Sequence, residues 1–141
     1  MTRRARVYLM ISATRHLVMG VFTIAAAGEF TNPTFVPVLA YLPVTGWGVL
    51  MLATAAVCGV AAVLRSATWA RTALTVSATL SLTLGAGIFL GVLAVRISGG
   101  MAPIAAICLL SLAAKDYVVC AQPMRSPFEQ VMRRMVSLGH R

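Results

Sequence analysis

Acidic side chains are nearly missing: Glu29, Asp116 and Glu129 are all that the 141 residues hold, against 12 Lys and Arg. So few carboxylates, none of them paired in the sequence, leave no acid–base couple for hydrolysis or proton abstraction. Cysteine is also scarce, and Cys58, Cys108 and Cys120 lie in or at the edge of apolar runs without metal-ligand spacing. They read as buried, inert thiols. No glycine-rich phosphate loop, nucleophile elbow or metal-binding cluster is present. The expectation is therefore a protein without catalytic residues, cofactor or metal, and not an enzyme. Charge of either sign amounts to only 11% of the chain, which excludes an ordinary soluble domain.

What the chain does have is apolar length. Sixty per cent of its residues are hydrophobic and its mean hydropathy is +0.89. Residues 72–95 form an uncharged run bounded by Arg71 and Arg96, and at 1.5 Å per residue such a helix reaches about 36 Å, enough to cross a hydrocarbon core of about 30 Å with some tilt. Within it Thr75, Thr79, Thr83, Gly87 and Gly91 recur every four residues, and Ser77, Ser81 and Gly85 make a second row beside them. Helices in lipid associate through close backbone approach and interhelical hydrogen bonds, so small and hydroxylated rows mark packing faces. The first row is a candidate for packing within the chain or for self-association.

Three further spans are expected, at roughly 10–30, 43–64 and 101–119. The first is interrupted by Arg15 and His16. A crossing that began at Val7 would carry Arg15 about 12 Å into the bilayer, where a cation costs roughly 2.5 to 3.5 kcal/mol. Two remedies are open: Arg15 snorkels to the interface from a span shifted outward, which is the expectation, or it faces the bundle interior and is functional. Basic residues, an apolar stretch and Ala25, Ala26 and Ala27 have the outline of a signal peptide. The Arg15–His16 pair breaks its core, so an uncleaved first span is expected.

Pro33, Pro37 and Pro43 make 29–41 a loop, re-entrant or interfacial. Tyr41 and Trp47 are expected at the interface, and Gly46, Gly48 and Gly59 supply small faces to the second span. Lys115 and Asp116 read as an interfacial pair near the end of the fourth. With Glu29 at one membrane face and Asp116 at the other, the intramembrane carboxylate that small four-span proton-coupled exporters require is not expected. Eleven of the 12 cationic side chains fall on one side of this arrangement and only Arg96 on the other. That places both termini in the cytoplasm and makes nucleic acid the weaker reading of the basic charge.

Residues 1–122 thus form a four-span domain, and 123–141 a basic tail. In the tail Ser126, Pro127 and Glu129 make a capping box, and Phe128, Val131, Met132 and Met135 share a helical face. Arg125, Arg133 and Arg134 are its candidate contacts to an anionic membrane surface, with docking to a partner protein as the alternative. The fold class expected is all-α: an integral membrane four-helix transmembrane bundle with a short amphipathic C-terminal helix.

The run Ala113-Ala114-Lys115-Asp116-Tyr117-Val118-Val119-Cys120-Ala121-Gln122-Pro123-Met124-Arg125-Ser126-Pro127-Phe128-Glu129, with Thr14-Arg15-His16-Leu17-Val18-Met19-Gly20 near the start, resembles small four-span, holin-like membrane proteins encoded by actinobacteriophages. The resemblance implies a multi-pass protein of the host inner membrane that oligomerises and permeabilises it for endolysin-mediated lysis. Its partners would be the lipid bilayer, further copies of itself and a second phage membrane protein, with no nucleic acid. Superinfection exclusion or defence, and a small host accessory role, are the competing functions.

Overall fold

The computed structural model describes residues 1–29, 35–95 and 101–121. Helix α1 spans Arg3–Ala25, a 3-10 turn follows at Ala27–Glu29, and α2 is the short Val36–Leu39. Helices α3 (Val44–Leu64), α4 (Ala67–Val95) and α5 (Met101–Ala121) complete the chain, and no strand occurs among the described residues. Apart from α2, each helix is long and apolar enough to cross a membrane. The tail, with Arg125, Arg133, Arg134 and the Ser126 capping box, lies outside the described residues, as do 30–34 and 96–100.

Local chemistry sets the ends. The Thr2 hydroxyl caps α1 by accepting the Ala5 N–H at 3.2 Å, so the first span begins at Arg3 and not near residue 10. Pro43 is extended and starts α3, its carbonyl taking the Trp47 N–H at 3.2 Å. Arg65 ends α3 in the left-handed region, φ 53°, and the Ser66 carbonyl then accepts the Ala70 N–H at 3.0 Å. The connection is thus two residues long, and Arg71 rides within α4 instead of preceding it.

The spanning helices pack chiefly as two pairs, α1 on α3 and α4 on α5, with α4 also resting on α3, on α2 and more lightly on α1. The first and last helices scarcely share packed backbone, so a seam runs between them. The outer pairs are close because glycine allows it. A Cβ placed on Gly20 of α1 would lie 2.9 Å from the Gly48 carbonyl oxygen of α3, and one on Gly85 of α4 would lie 3.1 Å from Leu109 and Leu110 of α5. Of the other small faces expected in α3, Gly59 meets nothing.

The interior is layered along the helix axes. At the end that carries Arg3, Arg65 and Ala121, the terminal end, Ala5, Leu9, Cys58, Ala61, Ala62, Ala70, Ala73 and Leu74 form a tight cluster of small side chains and two leucines. At the opposite end Val38, Trp47, Met51, Leu80, Leu84, Ile88, Ala102, Ala106 and Leu109 form a second one. Between them lie the buried polar residues: Ser12 and His16 of α1, Thr54 of α3, Ser77 and Ser81 of α4, and Asp116 of α5. Outside, the surface is apolar, with Val18, Phe22, Val60, Leu90, Ile107 and Val118 among many exposed side chains, as a lipid-facing exterior requires.

Candidate functional site

Polar residues are costly inside a membrane and mark functional sites by default. The buried stripe of α1 runs Ala5, Leu9, Ser12, His16 and Gly20, which turns the helix so that Tyr8 and Arg15 flank its inward face. On α5 the stripe Ala102, Ala106, Leu109, Ala113 and Asp116 points the carboxylate inward and leaves Lys115 exposed. The two stripes bring together residues 101 positions apart: Arg15 Nη2 donates to Asp116 Oδ2 at 2.8 Å.

Asp116 is fully enclosed, at 0% exposure, whereas Arg15 is 16% exposed and also borders an open groove beside Arg3, Arg6 and Thr14. The carboxylate accepts three donors. Tyr8 Oη gives to Oδ1 at 2.6 Å, Arg15 gives to Oδ2, and the Ser77 hydroxyl of α4 also gives to Oδ2. Ser77 Oγ in turn accepts from Arg15 Nη2 at 3.0 Å, so α1, α4 and α5 share one closed triangle of charge-assisted bonds. Lys115 Nζ lies 5.6 Å from the centre of the Tyr8 ring, a cation–π contact across the same seam. Together these form a clasp that joins the first helix to the last.

The clasp is incompletely satisfied. Ser12 Oγ and Arg15 Nε are buried without a hydrogen-bond partner among the described residues, and each such group costs about 1–3 kcal/mol. His16 sits beside them with Nδ1 2.9 Å from the Ser12 carbonyl oxygen. A carbonyl only accepts, so Nδ1 carries the proton and donates. Thr54 returns its hydroxyl to the Leu50 carbonyl at 2.8 Å. No group of three His, Cys, Asp or Glu that could hold a metal occurs among the described residues.

Several sequence expectations are corrected here. Arg15 does not snorkel: a fixed carboxylate partner removes the need for the interface, which is why α1 can start at Arg3 and carry Arg15 deep inside. Lys115 and Asp116 are not an interfacial couple, since adjacent helical residues point in different directions and only Asp116 turns inward. The carboxylate expected at a membrane face, Asp116, is buried in the bundle. Trp47 is 8% exposed and donates its indole N–H to the Val38 carbonyl at 3.1 Å, so α2 folds over it and withdraws it from the interface. Tyr41 stays exposed, at 85%. Of the thiols only Cys58 is buried; Cys108 is exposed.

The small-residue row divides. Gly91 is buried, and a Cβ on Gly87 would meet Val38 at 2.5 Å, so these two pack within the chain. Thr75, Thr79 and Thr83 face outward and border a groove of about 420 Å³ between α3 and α4, beside Trp47, Leu50 and Thr54. Thr75 also lies 3.6 Å from the Cys120 sulfur. The neighbouring row of Ser77, Ser81 and Gly85 is the one that turns inward.

The fold and the site define a multi-pass, all-α membrane protein whose first and last spans are joined by a buried ion pair. No family model matches the chain, and neither the curated proteins nor the solved structures contain a match.

Proposed function

We propose that this is a holin-like protein of a bacterial host's inner membrane, in which copies assemble and permeabilise the bilayer so that an endolysin reaches the wall. The observation that carries the reading is the buried polar layer. A bundle whose exposed side chains are mostly apolar keeps His16, Ser77, Ser81 and Asp116 buried, with Arg15 mostly covered beside them, and these are the groups a water-filled lesion would need on its walls. The layer is divided between two contiguous halves, α1–α3 and α4–α5, joined in the chain by Arg65 and Ser66 and held together by the clasp and by the packing of α4 on α1, α2 and α3. Parting the halves turns the closed bundle into a helix array with one polar face. The outward Thr75, Thr79 and Thr83 supply hydroxyls for contacts between copies. Arg3, Arg4, Arg6, Arg65, Arg71 and Lys115 lie toward the end of the bundle that carries Arg3 and Ala121, and this positive charge supports a cytoplasmic position for that end.

Inducible expression in a bacterial host with a cytoplasmic endolysin tests this. Growth should stop abruptly, the membrane potential should collapse and the culture should lyse. Normal growth with an intact potential would refute the proposal, and normal growth combined with blocked phage DNA entry would point to superinfection exclusion instead. Asp116 itself favours a second reading, proton-coupled transport, because a buried carboxylate held by Tyr8 and Arg15 has the donor set of a proton relay. Asp116→Asn separates the two: it should hasten permeabilisation if the clasp restrains opening, and abolish coupled transport if the carboxylate carries the proton.

A further inference from the structure

At the α2 end the seam does not close. Between α1 and α5 lies a chamber of about 230 Å³, lined by Met19, Phe22, Trp47, Leu84, Ala105 and Leu109 together with side chains of α2. It is half again as large as an apolar cavity of about 150 Å³ that takes up benzene. Its lining offers almost no polar surface, and the few polar groups are engaged. The Trp47 indole N–H is bonded to the Val38 carbonyl, and the Thr23 hydroxyl is directed to the Met51 sulfur at 3.8 Å. Water would find no partners there. The chamber is also continuous with the lipid-facing surface, because Phe22 both lines it and is 67% exposed, and α1 and α5 make too little contact to shut it off.

We propose that the chamber is a binding site for one acyl chain of a membrane phospholipid, which slides in laterally between α1 and α5. Hydrocarbon is what a bilayer offers to an apolar opening on its lipid-facing side, and a flexible chain fits an irregular slot whose walls come from all five helices. The bound chain completes the core that the protein leaves unfilled, and it props the seam open at this end while the clasp holds it at the other. The inference does not depend on a permeabilising role.

The two tryptophans make the test direct. With Trp69→Phe, Trp47 is the sole fluorophore of the full chain, which is reconstituted in phosphatidylcholine vesicles whose acyl chains carry bromine at mid-chain. Bromine quenches at contact range. Trp47, although buried, should be quenched as strongly as a lipid-facing reference, Val60→Trp in a chain with both native tryptophans changed to Phe. Ala105→Phe plugs the chamber and should remove most of the Trp47 quenching, and Ala105→Leu, a smaller plug that keeps the helix apolar, should remove part of it. Weak quenching of Trp47 in the unplugged protein would overturn the proposal without any plugging variant. So would strong quenching that neither plug changes, since the bromines would then be acting from the outside.

Discussion

At the terminal end of the α1–α5 seam three donors converge on Asp116, whereas at the α2 end the same two helices diverge around a chamber of about 230 Å³. The difference follows from the solvent. In lipid no hydrophobic force pushes helices together, so apolar surfaces gain little by meeting and a gap between them is filled by chains. A charge has no such indifference: Arg15 and Asp116 must each find the other or leave an uncompensated ion in hydrocarbon. The seam is accordingly shut where the ions are and slack where they are absent.

Substitutions on the two sides of this comparison should differ in size. Leu74 is fully buried in the tight terminal cluster, so Leu74→Ala leaves an enclosed void and should cost about 4–5 kcal/mol, the upper end of such truncations. Leu84 lines the chamber, where an acyl chain can take up the lost volume, and Leu84→Ala should cost only about 2–3 kcal/mol. Reversible unfolding in mixed micelles reads both, and equal losses would remove the asymmetry.

The spans were legible in the sequence because length and apolarity fix a crossing without reference to any neighbour. The clasp was not, since Arg15 and Asp116 lie 101 residues apart and one sequence shows no pairing. A signal was nonetheless there: Arg15 in the first apolar run and Asp116, next to Lys115, in the last are charges whose cost one contact between them removes. The choice between the two rows on α4 was hidden for another reason. Threonine and serine rows have the same small, hydroxylated character, and the buried Ala73, Leu74, Leu84 and Ile88 of α4, together with Asp116 on α5, set Ser77 inward. Trp47 misled because an aromatic near a span end looks interfacial until α2, which Pro37 helps to start, covers it.

Smaller effects sharpen the picture. Tyr8→Phe removes one donor to Asp116 but keeps the ring under Lys115, and should cost about 0.6 kcal/mol, up to about 1.7, as single interhelical hydrogen bonds in membranes do. The same readout checks it, and a null result would take Tyr8 out of the clasp. Arg65→Gly relieves a left-handed residue between the halves and should stabilise by about 0.4–1 kcal/mol or be neutral, because the freer unfolded chain offsets part of the gain. Changing Thr75, Thr79 and Thr83 together to Val should leave the monomer within about 0.5 kcal/mol, as surface changes do. Crosslinked oligomers should nevertheless weaken; if they persist unchanged, the contact between copies lies on another face.

The clasp itself is tested most directly by a double-mutant cycle on Arg15 and Asp116. Arg15→Met and Asp116→Leu should each cost about 3–5 kcal/mol, because each leaves one charge buried and unpaired. The double variant should recover most of that loss, since two apolar side chains suit the lipid-embedded bundle. Losses that simply add, with the double variant as unstable as the sum of the two single ones, would contradict an ion pair holding the first helix to the last.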